Sequence, residues 1–97
     1  MVTYVSLLKW TEQGIKDAKA TVDRAEQARQ VIEQMGGKMT SIFWTQGMYD
    51  IVAITEFPDE ETATAFLLTL GKLGNLRSET LRGFTADEMR RILEKVR

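Results

Sequence analysis

The sequence contains no cysteine and no histidine, and these two absences exclude several classes of chemistry. Without cysteine the chain forms no disulfide, thiolate nucleophile, zinc finger or iron–sulfur cluster. Without histidine it has no Ser-His-Asp triad, no imidazole base and no His-ligated haem. A metal would need carboxylate ligands alone, and outside the acidic stretch Asp59–Glu61 no carboxylates recur at liganding spacing. We therefore expect neither a metal nor another cofactor, and any acid–base chemistry falls to Asp, Glu, Tyr or Lys.

Long apolar runs and an excess of one charge are also missing. No run approaches the roughly 20 apolar residues of a membrane span, and the first residues contain no basic segment typical of a signal peptide. The formal net charge is −1, whereas binding to nucleic acid needs a basic face. We therefore expect a cytoplasmic protein with neither a membrane nor a nucleic acid as its partner.

What is present is an ordinary globular composition with a clear alternation of strand and helix patterns. The 97 residues predict a single domain over 1–97, and chains of this size often gain stability by forming oligomers. Alternating polarity predicts four strands, and apolar spacings of three or four predict three helices. The strands are Thr3–Trp10, Lys38–Gln46, a strand within Gly47–Phe57, and Leu76–Phe84, and the helices are Ala18–Met35, Asp59–Leu70 and Ala86–Val96.

Two local patterns refine this prediction. Thr11–Gly14 is typical of a turn, after which one long amphipathic helix follows. The apolar stripe of that helix is rich in alanine, so we expect the helix to approach the sheet closely. In the first strand, Val5 and Leu7 form an aliphatic face, whereas the opposite face is mixed and consists of Tyr4, Ser6, Leu8 and Trp10.

The order of elements, βαββαβ followed by a helix, predicts an α+β fold of the ferredoxin-like kind. Right-handed crossovers and a hairpin between the middle strands give a four-stranded antiparallel sheet with strands one and three in the centre. Ile51–Ile54 is apolar without a break, which predicts burial on both faces of strand three. Helices cover only one face of the sheet. Leaving the apolar side chains of the other face in water would lose on the order of 10 kcal/mol of hydrophobic stabilisation. The C-terminal helix could cover part of that face, but we favour a second copy of the sheet, and hence a homodimer.

Several stretches of the chain resemble the GYD domain family. They are Gly47-Met48-Tyr49-Asp50, Trp10–Ile15, Gly74–Arg77 and Thr80–Phe84. The resemblance implies a dimeric α+β barrel, in which two ferredoxin-like sheets enclose a barrel. The wider group includes cofactor-independent monooxygenases, muconolactone isomerases, haem enzymes and small-ligand sensors, so the fold alone does not choose a function.

We predict a site on the sheet face that the helices leave free. The proposed ligand-binding residues are Tyr4, Trp44, Tyr49 and Arg82, and Asp50 is the candidate catalytic residue. Ser6, Trp10 and Thr80 share strand faces with them. Aromatic walls with a few polar anchors are the usual composition of a small-molecule site. The first hypothesis is a non-enzymatic, homodimeric module that binds a small apolar or amphipathic ligand or serves an assembly role. The alternative is a cofactor-independent monooxygenase or isomerase with Asp50 as general base.

Each of these residues also has a purely structural interpretation. Asp50 is suited to bonding backbone amides and fixing the hairpin before strand three. Arg82 is suited to pairing with a carboxylate, on its own subunit or on a partner, as well as to anchoring an anionic substrate. Tyr4, Trp44 and Tyr49 are aromatic residues of the kind that commonly pack in a core or at a subunit interface.

Overall fold

A computed structural model describes the whole chain, Met1–Arg97, as a four-stranded antiparallel sheet with four helices. The strands are β1 (Val2–Trp10), β2 (Lys38–Trp44), β3 (Ile51–Phe57) and β4 (Leu76–Gly83); the helices are α1 (Glu12–Lys16), α2 (Thr21–Gln34), α3 (Glu60–Lys72) and α4 (Ala86–Leu93). The strand order is β2-β3-β1-β4. The ferredoxin-like prediction, with β1 and β3 in the centre, is confirmed. None of the helices combines the length and the apolar character needed to cross a bilayer.

The segment between β1 and α2 differs from its prediction. Residues 11–14, predicted as a turn, begin α1, because the Thr11 hydroxyl accepts a hydrogen bond from the Gly14 amide and caps the helix. The backbone of Asp17 leaves helical geometry, and a 3-10 turn, Ala18–Ala20, precedes α2. The prediction of one long helix is therefore wrong. Glycine is required at position 14 because the backbone of Asn75 approaches it closely, and not because the chain turns there. A Cβ at this position would lie 2.1 Å from the Asn75 carbonyl oxygen.

A bulge in β2 changes which side chains share a face. Met39 lies opposite Thr55 and Ser41 lies opposite Ile54, so Thr40 is an extra residue in the ladder. Met39 and Ile42 consequently lie on the same face of the sheet, although strict alternation places them on opposite faces. The strand also ends at Trp44 rather than at Gln46.

Helices α2 and α3 cover the face of the sheet that carries the mixed side of β1. Ile32 of α2 and Phe66 of α3 pack on Phe57 in the larger buried cluster, and Leu8 and Ile51 belong to the smaller one. Leu70 contacts both clusters and so joins them. The core therefore lies between the sheet and the two long helices.

The opposite face of the sheet has no helix over it, and we call it the open sheet face. Directly paired residues place six apolar side chains there: Val5, Leu7, Phe43, Val52, Ile54 and Leu81. Phe43 is 64% exposed and Leu81 is 53% exposed, whereas Val52 and Ile54 are half-buried. The aliphatic side of β1 is thus the side that the helices leave uncovered.

Helix α4 does not cover this face either. It begins with a capping box in which Thr85 and Glu88 bond each other's backbone amides. It makes no extensive contact with the sheet or with the other helices. Its apolar side chains Met89 and Leu93, and Val96 just beyond its end, remain exposed. The molecule is elongated, with extents of 50 × 31 × 19 Å.

Candidate functional site

A cavity of about 310 Å³ lies between the sheet and helices α2 and α3. It exists because α2 packs over β2 and α3 packs over β3 and β4, without extensive contact between the two helices. Small side chains border the gap on both sides: Ala25 and Ala28 from α2, and Ala53 from β3. The alanine-rich stripe therefore leaves space above the sheet instead of closing it. The volume falls within the range of roughly 300–1,000 Å³ that is typical of small-molecule sites.

The lining of this cavity is predominantly apolar, since 15 of its 22 residues are hydrophobic. Leu8, Ile51 and Ala53 belong to the sheet side, while Ile32 and Phe66 come from the helices. Two hydroxyls interrupt the sheet side of the lining. Ser6 shares a hydrogen bond of 3.1 Å with Thr80, and Thr55, opposite Tyr4 in the sheet, supplies the other hydroxyl.

Arg24 is the only ionisable residue that lines the cavity. Its guanidinium donates hydrogen bonds to the carbonyl oxygens of Gly14, at 3.2 Å, and Asp17, at 2.9 Å, so it ties α2 to the end of α1. The nearest carboxylate oxygen, on Asp17, lies 3.9 Å away on a side chain that is 74% exposed. The Arg24 side chain itself is only 21% exposed. A largely covered cation therefore stands at the rim of an apolar cavity.

Trp10 lines the same cavity at the end of β1. Its indole Nε1–H is buried and has no hydrogen-bond partner in the protein. Leaving such a donor unpaired costs roughly 1–3 kcal/mol. Trp10 pairs with Leu76, next to Asn75, and Gly14 packs against Asn75. Arg24, bonded to Gly14, and Trp10 thus stand at the same end of the sheet.

Tyr4 and Trp44, two of the predicted ligand contacts, lie on the helix-covered face. Tyr4 packs edge-on against Phe57 in the core, with ring centroids 6.3 Å apart. Trp44 is opposite Ile51, and its indole donates a hydrogen bond of 3.0 Å to the hydroxyl of Thr21 at the start of α2. Neither lines the cavity. The prediction that these aromatics face the open side of the sheet is therefore wrong, because alternation defines two faces without saying which one the helices cover.

Arg82 is also on the helix-covered face, since it pairs with Tyr4. Its guanidinium carbon lies 4.5 Å from the centre of the Phe84 ring, and it donates a hydrogen bond to the Gly83 carbonyl. It forms no salt bridge within the chain and does not line the cavity. The structure thus separates Arg82 from Trp44, which lies at the other edge of the sheet.

Asp50 joins the start of β3 to the end of β1 through hydrogen bonds to the backbone. Its carboxylate accepts a hydrogen bond of 2.9 Å from the Trp10 amide, and its own amide donates to the Leu8 carbonyl at 2.9 Å. These bonds continue the pairing of β1 with β3 beyond Ile51. Asp50 does not line the cavity.

Tyr49 points away from the cavity, over residues of the open sheet face. Its hydroxyl donates a hydrogen bond of 2.8 Å to Glu79, and the Lys9 ammonium lies 5.4 Å from the centre of its ring. The hydrogen bond to Glu79 raises the pKa of the Tyr49 hydroxyl above its usual value.

The cavity shares few residues with the predicted site. Of the residues named for the predicted site, only Ser6 and Trp10 line it, and Arg24, Ala25 and Ala28 are additions from the structure. The alanine-rich stripe of α2 is the sequence signal for the two alanines, although such a stripe fits close packing on the sheet equally well. Elsewhere, no three acidic side chains converge closely enough to hold a metal ion.

Comparison with known proteins agrees with this fold. The GYD domain family model matches residues 4–93. The crystal structure of TTHA0845 from Thermus thermophilus is similar, with a TM-score of 0.55 at 23% identity, covering 89% of this chain and 96% of that chain. At this identity the likeness concerns the fold alone. The comparison with curated proteins gives no match.

Proposed function

This chain belongs to the GYD domain family, and we propose that it is a small-molecule-binding module that works as a homodimer. The observation that carries the binding proposal is the cavity between the sheet and helices α2 and α3. Protein interiors are close-packed and contain few voids larger than a water molecule. A volume of 310 Å³ is about ten times the ~30 Å³ that one water occupies in the liquid. A small domain that keeps such a space gains packing contacts when an apolar ligand fills it.

The lining supports binding rather than acid–base catalysis. The cavity contains no Asp, Glu, Lys or Tyr side chain, and arginine, its one ionisable residue type, does not serve as a base in proteins. Asp50, the candidate base of the enzymatic alternative, is bonded to the Trp10 amide outside the cavity. The groups that remain, hydroxyls and N–H donors among apolar walls, suit recognition of a ligand.

A cavity-filling variant tests this proposal. Ala28→Leu adds three carbon atoms to the cavity wall, whereas Ala65→Leu makes the same change on the exposed side of α3. Calorimetric titration with 1-octanol serves as the readout. We expect the unmodified protein and Ala65→Leu to bind alike, and Ala28→Leu to bind at least about tenfold more weakly. Equal binding by both variants would place the ligand elsewhere and contradict the proposal.

The open sheet face supports the homodimer. The chain has 6819 Å² of accessible surface, whereas a compact monomer of 11.0 kDa has about 5,600 Å². The excess of about 1,200 Å² exceeds the ~800 Å² that each partner buries in a standard interface. The radius of gyration, 14.5 Å, likewise exceeds the ~12.5 Å typical of this length. Packing two open sheet faces together would cover Phe43, Val52 and Ile54 and produce a barrel.

Helix α4 supplies a second surface for the same contact. Met89 and Leu93 are exposed on α4, which has little contact with the rest of its own chain, and Val96 is exposed just beyond the end of that helix. We propose that α4 packs against the partner subunit and extends the interface beyond the sheet. Sedimentation equilibrium tests the dimer: we expect a mass of twice 11.0 kDa, and a stable species of 11.0 kDa would contradict it.

A further inference from the structure

We propose that the ligand of this cavity is a small aliphatic carboxylate, with its head group at Arg24 and its tail along the sheet toward Phe66. This inference rests on the proposed binding function and specifies the chemistry of the ligand. It depends on three features of the cavity: its single charged residue, the N–H groups of that residue that bond no carbonyl, and the position of that residue at one end of the cavity.

The charge of the lining selects an anion. Arg24 is the only ionisable residue among the 22 that line the cavity, and no acid accompanies it. A ligand with a positive head would therefore meet a like charge and find no counter-ion. A neutral ligand would leave the largely covered cation uncompensated, because the Asp17 carboxylate lies 3.9 Å away and is 74% exposed. Because the Asp17 carboxylate remains hydrated at this distance, its attraction to Arg24 is screened by water, so Asp17 is a weak competitor for an incoming carboxylate.

The guanidinium of Arg24 also has N–H groups beyond the two that bond the backbone. It presents five N–H groups, and two of them bond the carbonyl oxygens of Gly14 and Asp17. Those two bonds fix the position of the guanidinium without neutralising it, since carbonyl oxygens carry no net charge. The remaining N–H groups match a carboxylate, which accepts from arginine through two oxygens.

The charged residue stands at one end of the cavity, whereas the other end is uncharged and combines apolar side chains with the hydroxyls of Ser6 and Thr55. Arg24, Trp10 and Asn75 stand at the end where β1 finishes. Ile32 and Phe66 stand at the opposite end, where they pack on Phe57, the partner of Val2 at the start of β1. The stretch of β1 from Ser6 to Trp10 alone spans about 13 Å at the usual strand rise. This distance leaves room for an extended octyl chain.

Three octyl compounds with different head groups test the charge preference on the full-length protein. Octanoate, 1-octanol and octylamine share one tail, so differences in their calorimetric dissociation constants report the head group. We expect octanoate to bind at least about tenfold more tightly than 1-octanol, which corresponds to about 1.4 kcal/mol. Octylamine should bind most weakly. Octanol or octylamine binding as tightly as octanoate would overturn this inference while leaving the binding function intact.

Arg24→Gln tests the anchor, and Arg29→Gln is its matched control on the same helix. Arg29 pairs with Glu26 and Glu33 and does not line the cavity. We expect Arg24→Gln to reduce the advantage of octanoate over 1-octanol to less than twofold, and Arg29→Gln to leave it unchanged. An undiminished preference in Arg24→Gln would contradict the assignment. If Arg24→Gln fails to fold, as circular dichroism would show, the series of three compounds decides the question alone, with Arg24→Lys expected to keep the order of affinities.

The outcomes separate this inference from the proposed function. If none of the three compounds binds to the unmodified protein, both are wrong. If 1-octanol binds and is blocked by Ala28→Leu, but octanoate shows no advantage, only the carboxylate assignment fails. If octanoate is preferred and the preference depends on Arg24, both are supported.

Discussion

Replacing Ile54 with lysine tests whether the open sheet face is an interface. Ile54 lies in the middle of β3, opposite Val5 on one side and Ser41 on the other, and it is half-buried in the single chain. In the monomer the change is mild, because the lysine stem can lie along the sheet while its ammonium stays in water. In a face-to-face dimer the same ammonium would lose its water, so the variant should dissociate without unfolding.

The size of the effect follows from the burial of the side chain. Fully burying an isoleucine is worth about 1.5–3 kcal/mol, and about half of this remains to be gained at the interface because Ile54 is already half-buried in the single chain. Two-fold symmetry applies the loss to both subunits, so Ile54→Lys weakens the dimer by about 1.5–3 kcal/mol, or about 10–10²-fold in the dissociation constant. Desolvation of two ammonium groups adds to this loss, so these figures are a minimum.

Sedimentation equilibrium with circular dichroism measures both parts of this prediction. The matched control is Leu68→Lys, on the outer side of α3, where the side chain is already 71% exposed. We expect Leu68→Lys to remain dimeric and Ile54→Lys to sediment near 11.0 kDa with an unchanged helical signal. An Ile54→Lys protein that stays dimeric at low concentration would refute the assignment of this face.

Three further predictions concern stability. Asp50→Ala should lower the free energy of unfolding by about 1–3 kcal/mol in urea, because it removes a charged acceptor from the end of β1, and Asp50→Asn should lose less; equal losses would contradict this. Gly14→Ala should destabilise strongly, since its Cβ would clash with a backbone oxygen at 2.1 Å, whereas Gly71→Ala meets nothing and should stabilise α3 by about 0.5–1 kcal/mol. A hydrogen bond from the Thr62 amide lowers the pKa of Asp59, so its contribution to stability is present above the unfolded pKa and is lost as the pH falls through the folded value. Asp59→Asn should flatten that acid-side decline in thermal melts, and an unchanged pH profile would refute the assignment.

The strand order is predictable from the sequence because it depends on local signals. Alternation, short connections and crossover handedness suffice to place β1 and β3 in the centre of the sheet. Asp50 before an apolar strand predicts bonding to nearby amides of its own hairpin, but its carboxylate accepts from the Trp10 amide of β1, which is distant in the sequence. Helix α1 escapes prediction, although Thr11 is a good N-cap, because Gly14 is as typical of a turn as of a point of close contact.

The location of the site could not be predicted, because it depends on how far apart two helices sit. Alternation separates Tyr4 from Val5, but it does not say which of these sides meets α2 and α3. The bulge at Thr40 further shifts Met39 to the other face, and no residue type in β2 signals it. The cavity itself arises from Ala28 and its neighbours, whose small size fits a close contact as well as a gap.

The isoleucine methyl groups offer the most direct test of the central claim, that the cavity under α2 and α3 binds the ligand. Ile32, Ile42 and Ile51 line the cavity, and the remaining isoleucines, Ile15, Ile54 and Ile92, do not. Methyl NMR of isoleucine-labelled protein during an octanoate titration distinguishes the two sets. We predict saturable shifts of Ile32, Ile42 and Ile51 alone. Shifts confined to Ile54, on the open sheet face, or no shifts at all, would contradict the account.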